Sequence, residues 1–547
     1  MSRSLDELPL TRRAILAGGS VAVFGGLVRP TLALGAAARI APRFSGPIPV
    51  TATSKPWATA MAGGAKEALI KRYDYVEEEY FVAGTCGVYG PGGVVATGAD
   101  AASPIVFAAR LQPLAKLMRS GVPYKTRAIL LRPRDLAKFS GRVHLIPNHN
   151  LAAETRTDKN LLRNGDVWIG LEVNSGARFG VEERPSGGIA HLRETDPGRY
   201  GTLSIPAGQP TDWPGLQPGR LGEAYKTLDL GGRQAAPEKR NIFRQEISRS
   251  YAQAPDIMTD VAAVLRSDGP TSPLAGHRVR RIFTTGSSGQ STILAPYVNY
   301  HHEAARQKYG HAPFDGYMIR VGVWPTTRPK GAVLVQVQSE AEAMKAMPPG
   351  ELERLANTDD PMFRFYEIPG VGHGLTSRAP NVEDGIGKLV PQGVIGISQT
   401  GGTSEFQRYD KIAVPVQWAM WENMDRWLEK GVPMPRTQPC QRDPQAADGL
   451  ARDRFGNVIG GLRLPWMDVP DAQYTGIIQE NNPLEGGMKP FSEARMKELY
   501  GTREAYLAKV DERLAQMARD RLILAEDIPL MRLRGDTEAL NLGLYET

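Results

Sequence analysis

Cysteine is scarce in this sequence, and what is present does not form a disulfide scaffold. The chain of 547 residues contains only Cys86 and Cys440, whereas domains stabilised by disulfides carry several closely spaced pairs. One disulfide between the two and a pair of free thiols are the alternatives. Cys86 lies in the turn-like segment AGTCGVYG without an activating base beside it, so we do not expect a catalytic thiol.

Histidine is also rare, and its spacing does not fit a metal centre. The eight histidines include no H-x-x-x-H pair, and no Cys/His cluster has the spacing of metal ligands. His301 and His302 are adjacent, and adjacent side chains on a helix point apart. The glycine-rich segment GTCGVYGPGG lies among predicted strands, without the helix and acidic residue of a dinucleotide site. We therefore expect no metal and no cofactor.

Charge of one sign is not concentrated in any segment. The formal net charge of +7 comes from 66 basic and 59 acidic residues without a dense basic run, so nucleic-acid binding is not expected.

Long apolar runs are absent as well. The one candidate, from Ala14 to Val28, has about 15 residues with four glycines, which is short of the roughly 20 that span a bilayer.

Two arginines, Arg12 and Arg13, precede this apolar run. The arrangement resembles a twin-arginine export signal, and the alternative is a membrane anchor. We predict that residues 1–38 are a signal peptide, cleaved after Gly35 or Ala38, where small residues crowd. The mature protein would then be periplasmic or secreted, exported in the folded state and without a stable membrane span.

Apolar, β-rich segments alternate with helical patterns along most of the chain, which predicts an α/β fold with a largely parallel central sheet. The strand candidates are 73–89, which alternates like antiparallel strands, and then 126–133, 141–148, 165–173, 279–284, 315–322, 331–338 and 363–370. Helices are expected around 153–163, 242–265, 291–307 and 415–431.

Two regions interrupt this alternation. Residues 39–174 and 241–434 carry the α/β pattern, whereas 175–240 is rich in glycine and proline and is predicted to be a loop-rich insertion. Residues 435–547 form a C-terminal extension that ends in helices, with an apolar stripe at helical spacing: Tyr506, Val510, Leu514 and Met517. We expect both regions to cover the catalytic face and to set specificity, with three aromatic side chains that line a wall or simply pack: Trp213, Trp466 and Tyr474.

The segment RRIFTTGSSGQSTILAPYVNY places a tight turn between a strand and a helix. A hydroxyl at the tip of such a turn faces outward, and the start of the helix offers N–H groups to an oxyanion. Gly286 and Ser288 match the first half of G-x-S-x-G, but Gln290 stands where the second glycine belongs. Ser288 is the candidate nucleophile, with Ser287 and Ser291 as alternatives. The non-catalytic interpretation is a Ser/Gly loop that only caps the helix.

Two later strand ends supply partners in the order serine, acid, histidine that accompanies this turn. Glu340 follows the strand VLVQVQS, and Glu342 is its nearest rival. His373 lies in the glycine-rich loop of FRFYEIPGVGHG, the one histidine that comes after the serine and both acids. A serine attacks carbonyl carbons when an imidazole, itself oriented by a carboxylate, takes its proton. We therefore predict a catalytic triad of Ser288, Glu340 and His373.

Segments spread over the chain carry a family resemblance: EEEYFVAGTCGVY, PYKTRAILLRP, FSGRVHLIPNHN, RNGDVWIGLEV, TTGSSGQSTILAPYVN, QVQSEAE, YEIPGVGHG and GNVIGGLRLPWMDVPDAQYTG. From about residue 73 onward the chain resembles the exported proteins described as alpha/beta hydrolase domain-containing, a branch of the α/β-hydrolase superfamily. Members usually carry G-x-S-Q-S at the turn, which implies Ser288 as nucleophile, with Gly289 where Gln is common and Gln290 where Ser is common. The resemblance also implies the α/β-hydrolase fold and places the acid and base at Glu340 and His373.

The oxyanion donors are expected on two sides of the serine. The backbone N–H of Gly289 follows the nucleophile directly, and a second donor is expected after VHLIPN, around Asn148 or His149. His149 is alternatively a substrate contact or an ordinary polar loop residue. Together these parts predict a carboxylic ester hydrolase that acts on a small-molecule ester through an acyl-enzyme. The alternatives are an amidase or peptidase with the same triad and a non-catalytic periplasmic binding protein on a hydrolase fold.

Overall fold

The computed structural model of the protein describes residues 39–57, 64–92, 112–148, 159–176, 188–209, 213, 248–267, 269–322, 326–344, 350–357, 360–373, 407–408, 413–477 and 486–532. The predicted signal peptide, residues 1–38, lies outside these ranges, as does His149. Within them, no helix combines the length and the apolar character needed to cross a membrane.

Within the described residues, the central sheet has nine strands: β1 (Arg43–Ser45), β2 (Tyr75–Gly90), β3 (Lys116–Pro133), β4 (Arg142–Asn148), β5 (Val167–Glu172), β6 (Arg281–Ser287), β7 (Gly316–Arg320), β8 (Val333–Ser339) and β9 (Phe363–Ile368). Their order across the sheet is β1-β2-β3-β5-β4-β6-β7-β8-β9. The six strands from β5 to β9 in that order pair in parallel, whereas β1, β2, β3 and β5 pair antiparallel with one another in sequence. The predicted α/β fold with a mostly parallel sheet is confirmed.

Three further strands form a small antiparallel sheet: β10 (Gln407–Arg408), β11 (Ala472–Thr475) and β12 (Gly487–Pro490). The α-helices in the described residues are α1 (Gly64–Arg72), α2 (Lys159–Asn164), α3 (Gly188–Thr195), α4 (Pro197–Tyr200), α5 (Ala254–Arg266), α6 (Ser291–Pro296), α7 (His302–Tyr309), α8 (Glu340–Ala343), α9 (Glu351–Ala356), α10 (Val414–Lys430), α11 (Pro465–Asp468), α12 (Glu493–Tyr500), α13 (Arg503–Arg519) and α14 (Ile528–Arg532). A π-helical turn, Tyr297–His301, connects α6 to α7.

The parallel strands are buried on both faces, which explains their nearly continuous apolar sequences. Every residue of β5, β8 and β9 is buried. Successive residues of β8 alternate between two apolar clusters: Leu334 packs in the cluster that contains α5, whereas Val333 and Val335 pack in the cluster that contains α10. Burying one such side chain fully contributes roughly 1.5–3 kcal/mol, so helices on both faces hold the sheet in place.

The predicted insertion and extension both pack against this core. α3 and α4 lie in the insertion, where Ser204 exchanges two backbone hydrogen bonds with Lys125 of β3. In the extension, α13 buries the predicted stripe: Tyr506, Val510, Leu514 and Met517. Three aromatic residues were expected either to line a wall of the site or to pack in the core: Trp213, Trp466 and Tyr474. All three are buried inside the apolar clusters, where they pack.

Cys86 and Cys440 are both buried free thiols. Burial raises the pKa of the Cys86 thiol to about 12. Because the thiolate is the reactive form of cysteine, burial lowers the reactivity of this side chain at neutral pH.

Candidate active site

The order in which the chain adds strands to the sheet reverses between two neighbouring strands, β4 and β6. The chain leaves the carboxyl end of β4 towards β5 on one side and the carboxyl end of β6 towards β7 on the other. In open α/β sheets such a reversal leaves a crevice at the carboxyl ends, and ligands bind there. The ladder between the two strands joins residues 142–144 to residues 281–283, so it lies at their amino-terminal ends.

Ser288 follows β6 directly and begins the turn that leads into α6. Its φ of +52° lies in the left-handed region, which costs a non-glycine residue about 1–2 kcal/mol. Backbone strain of this kind clusters at functional sites. Ser288 is also exposed, and an exposed serine on a sharp, strained strand-to-helix turn is the geometry of a nucleophile elbow.

Gly286 is glycine for a steric reason. A Cβ at this position would lie 2.9 Å from the backbone carbonyl carbon and oxygen of Gln290 and 3.0 Å from its Cβ. Backbone atoms at that distance can only move if the turn opens. The glycine two residues before Ser288 is therefore required by the packing of the turn against the end of β6.

The three serines of the turn differ in exposure. Ser291 is 1% exposed, and its hydroxyl donates a hydrogen bond to the carbonyl of Ser288. Ser287 is half-buried at the end of β6, whereas Ser288 is exposed at the tip. Of the three candidates, Ser288 is the one most open to an incoming molecule.

His373 and Glu342 lie in contact beyond the ends of β9 and β8. The Nδ1 of His373 is 2.6 Å from Oε1 of Glu342. Glu342 is 1% exposed, and its Oε2 accepts hydrogen bonds from the hydroxyl and, at 3.3 Å, from the N–H of Ser339. A carboxylate facing Nδ1 keeps the proton on that nitrogen, which leaves Nε2 of the ring to act as a proton acceptor.

Glu340 has a different place: the carboxylate that contacts His373 in the structure is that of Glu342, and not that of Glu340, as the sequence predicted. Its carboxylate is fully buried, with Oε2 accepting from the N–H of Gly370 at 2.6 Å and Oε1 paired with Nη2 of Arg452 at 3.0 Å. α8 begins at Glu340, and residues two positions apart on a helix point about 200° apart. Only one of the two carboxylates can face the imidazole, and it is that of Glu342.

A local pattern could have indicated this. Ser339 and Glu342 have the S-x-x-E spacing of a capping box, in which the acid accepts a hydrogen bond from the backbone N–H of the residue that precedes the helix. The hydrogen bond from the N–H of Ser339 to Oε2 of Glu342 is of that kind, and the Ser339 hydroxyl donates to the same oxygen. The capping pattern fixes the direction of the Glu342 side chain, and Oε1 is left to face His373.

The C-terminal extension packs against the turns that carry these groups. Arg452 pairs with Glu340 and also with Asp448, at 2.6 Å. At Gly476 a Cβ would lie 2.6 Å from the Cβ of Glu340 and 2.9 Å from the carbonyl oxygen of Val371. This role of Arg452 has no local signal in the sequence, because its partner lies 112 positions earlier in the chain.

The predicted oxyanion donors are only partly within the described residues. Gly289 lies directly after Ser288 in the turn before α6, where backbone N–H groups have no partner inside the helix. Asn148 is the last residue of β4, and His149 lies outside the described residues. In the described part of the chain, no group of three or more His, Cys, Asp or Glu side chains is arranged to hold a metal ion.

Comparison with known proteins agrees with this architecture. A family model described as "Alpha/beta hydrolase domain" matches residues 44–532, and a search of curated proteins found no match. The matched range includes every strand from β2 to β12 and all the residues of the candidate active site described in this subsection. The chain therefore belongs to the alpha/beta hydrolase domain family and is a hydrolase of that superfamily.

Proposed function

We propose that the protein is a serine hydrolase that cleaves carboxylic esters, with Ser288 as nucleophile, His373 as general base and Glu342 as the acid that orients the imidazole. The contact of 2.6 Å between His373 Nδ1 and Glu342 Oε1 carries the proposal. β6, β7, β8 and β9 are parallel neighbours, so the serine, acid and histidine turns all follow carboxyl ends at one edge of the sheet. Glu342 replaces Glu340 in the triad predicted from the sequence.

The proposed reaction begins when the Oγ of Ser288 attacks the ester carbonyl and its proton passes to Nε2 of His373. Glu342 stabilises the imidazolium that forms. The tetrahedral oxyanion is stabilised by the N–H of Gly289 and by a second donor at the end of β4, around Asn148 or His149. The imidazolium then protonates the leaving alcohol, and an acyl-enzyme on Ser288 remains.

Water completes the cycle. His373 takes a proton from a water molecule, which attacks the acyl carbonyl and forms a second tetrahedral intermediate. Collapse of this intermediate releases the carboxylic acid and returns the proton to Ser288. Since the same imidazole acts in both halves, its tautomer must be held throughout the cycle, and the buried carboxylate of Glu342 supplies that restraint.

A fluorophosphonate probe tests the proposal on the purified protein, with peptide mass spectrometry to locate the adduct. The expected result is an adduct on Ser288 that is lost in Ser288→Ala and kept in Ser291→Ala, a matched change of a buried neighbour. Hydrolysis of p-nitrophenyl esters of increasing acyl length would then define the ester preference. Folded protein that gives no adduct on Ser288 and hydrolyses none of these esters would contradict the proposal and favour a binding function.

A further inference from the structure

Gln290 stands where G-x-S-x-G has its second glycine, and both the oxygen and the nitrogen of its side chain form hydrogen bonds. It is 3% exposed. Its Oε1 accepts a hydrogen bond from the N–H of Ser287 at 3.1 Å, and its Nε2 donates one to the carbonyl of Pro147 at 2.8 Å. Ser287 is the last residue of β6, and Pro147 is the last but one of β4. One carboxamide thus connects the ends of two strands.

The place of this bridge follows from the ladder between β4 and β6. The two strands pair over residues 142–144 and 281–283, and each then runs four residues further towards the crevice. A carboxamide carries one acceptor and a donor group, as a peptide unit does. Beyond residues 144 and 283, β4 and β6 no longer pair through their backbones. There the Gln290 side chain supplies the hydrogen bonds between the two strands that a backbone peptide would otherwise make.

The turn itself holds this side chain in position. Gly286 lacks the Cβ that would collide with the backbone and Cβ of Gln290. The hydroxyls of Ser291 and Thr292 donate to the carbonyls of Ser288 and Gly289, which fixes the backbone on both sides of Gln290. Because the Gln290 side chain is held in this way, it fixes the position of the turn relative to the end of β4.

We propose that Gln290 is a positioning residue for oxyanion stabilisation, because it sets the distance between the turn of Ser288 and the end of β4. This inference rests on the proposed function, in which one oxyanion donor is Gly289 and the other lies at the end of β4. An interaction that aligns these donors acts on the transition state and not on the bound ester. Its loss should therefore lower kcat and leave KM nearly unchanged.

Gln290→Met is the first test, since methionine has a similar length and forms neither hydrogen bond. With p-nitrophenyl butyrate we expect kcat to fall ~10- to 100-fold, the size of effect that a small misplacement of reacting groups produces. KM should stay within ~3-fold of the wild-type value. The second-order rate constant with the fluorophosphonate should fall by the same factor as kcat, because the Oγ–P bond forms, fluoride leaves and the serine proton passes to His373 in the same site.

Gln290→Glu separates positioning from packing. A protonated glutamic acid has one O–H donor and a C=O acceptor, so it can replace both hydrogen bonds of the carboxamide. When it loses its proton, the donor to Pro147 is lost and a carboxylate faces a carbonyl oxygen. The ratio of kcat for Gln290→Glu to kcat for the wild type should therefore rise as the pH is lowered, a dependence that a space-filling role would not produce.

Gln336→Met is the matched control. Gln336 lies in β8, which is separated from β6 by β7. It is also buried, at 1% exposure, and its Nε2 donates to the hydroxyl of Thr326 at 2.8 Å. It should lower the melting temperature but leave kcat and the fluorophosphonate rate near wild type.

Three results would overturn the inference in protein that labels at Ser288. They are a wild-type fluorophosphonate rate in Gln290→Met, equal losses of rate in Gln290→Met and Gln336→Met, and a pH-independent ratio for Gln290→Glu. Absence of an adduct on Ser288 of the wild type is a different outcome, which would contradict the proposed function and the inference with it.

Discussion

The turns that follow β6 and β8 lie at the same edge of the sheet, and each leads from a serine at the strand end into a helix. In the turn after β6, the backbone decides the geometry: Gly286 leaves no room for a side chain, and Ser288 has a left-handed φ. In the turn after β8, side-chain partners decide it, because Glu340 and Glu342 are both buried carboxylates. A turn fixed by its backbone has a recognisable sequence pattern, whereas contacts with distant partners, such as that of Glu340 with Arg452, have no local sequence pattern.

The largest loss of kcat is expected for the proposed nucleophile, Ser288, and the proposed general base, His373. Ser288→Ala and His373→Ala should each lower kcat by at least ~10⁴-fold, and the double variant should be no worse than either single one, since the residues of such a unit act together. Steady-state hydrolysis of a p-nitrophenyl ester measures this. Additive losses in the double variant would contradict a shared mechanism.

The next prediction compares the two carboxylates. Glu342→Gln should lower kcat ~10²- to 10⁴-fold, because an amide at this position no longer favours the required tautomer or stabilises the imidazolium. Glu340→Gln keeps an acceptor for Gly370, so kcat should stay within ~10-fold of wild type while the melting temperature falls. If Glu340→Gln is the variant that loses activity, the assignment of the acid is wrong.

Gly286→Ala tests the backbone-controlled turn. Placing a Cβ 2.9 Å from the backbone of Gln290 should cost ~1–3 kcal/mol of unfolding free energy, the range found for overpacked sites, and should also lower the fluorophosphonate rate. Gly269→Ala is the control, since its nearest atom is a Ser267 hydroxyl at 3.4 Å. Chemical denaturation of the two variants measures the difference, and equal stability would show that the turn has more room than the structure gives it.

The smallest effect on activity is expected at Arg452. Arg452→Met leaves the buried carboxylate of Glu340 with the N–H of Gly370 but without its cation. We expect a loss of stability of ~1–3 kcal/mol, less than for a fully buried pair, because the Arg452 side chain is 26% exposed. Adding Glu340→Gln should recover part of this stability. A double variant less stable than Arg452→Met would show that the two residues do not act as a pair.

Much of the fold could be predicted from the sequence, because burial on both faces gives parallel strands an apolar pattern of their own. The strands that carry the serine and histidine turns are recognisable for this reason, whereas the stripe of α13 is recognisable by its helical spacing. β3 begins at Lys116 and so extends well before the predicted strand at 126–133, since long antiparallel ribbons depend on cross-strand pairs that the pattern along one strand does not show.

The acid of the site could not be predicted with the same rule. Glu340 follows the strand directly and Glu342 lies two positions later, so the choice depends on which side of α8 faces His373 in the loop after β9. That loop approaches from 31 positions further along the chain. Arg452, which forms an ion pair with Glu340, belongs to the C-terminal extension. The contact of Arg452 has no signal in local spacing, whereas the capping-box pattern of Ser339 and Glu342 indicates the direction of the Glu342 side chain.

The central claim is that Glu342, and not Glu340, holds the proton on Nδ1 of His373. Proton NMR of the wild type, Glu342→Gln and Glu340→Gln tests this directly, because an imidazole N–H held against a carboxylate oxygen at 2.6 Å resonates far downfield of ordinary amide protons. We predict a downfield resonance in the wild type that disappears in Glu342→Gln and His373→Ala and persists in Glu340→Gln. A resonance that persists in Glu342→Gln and disappears in Glu340→Gln would contradict the account.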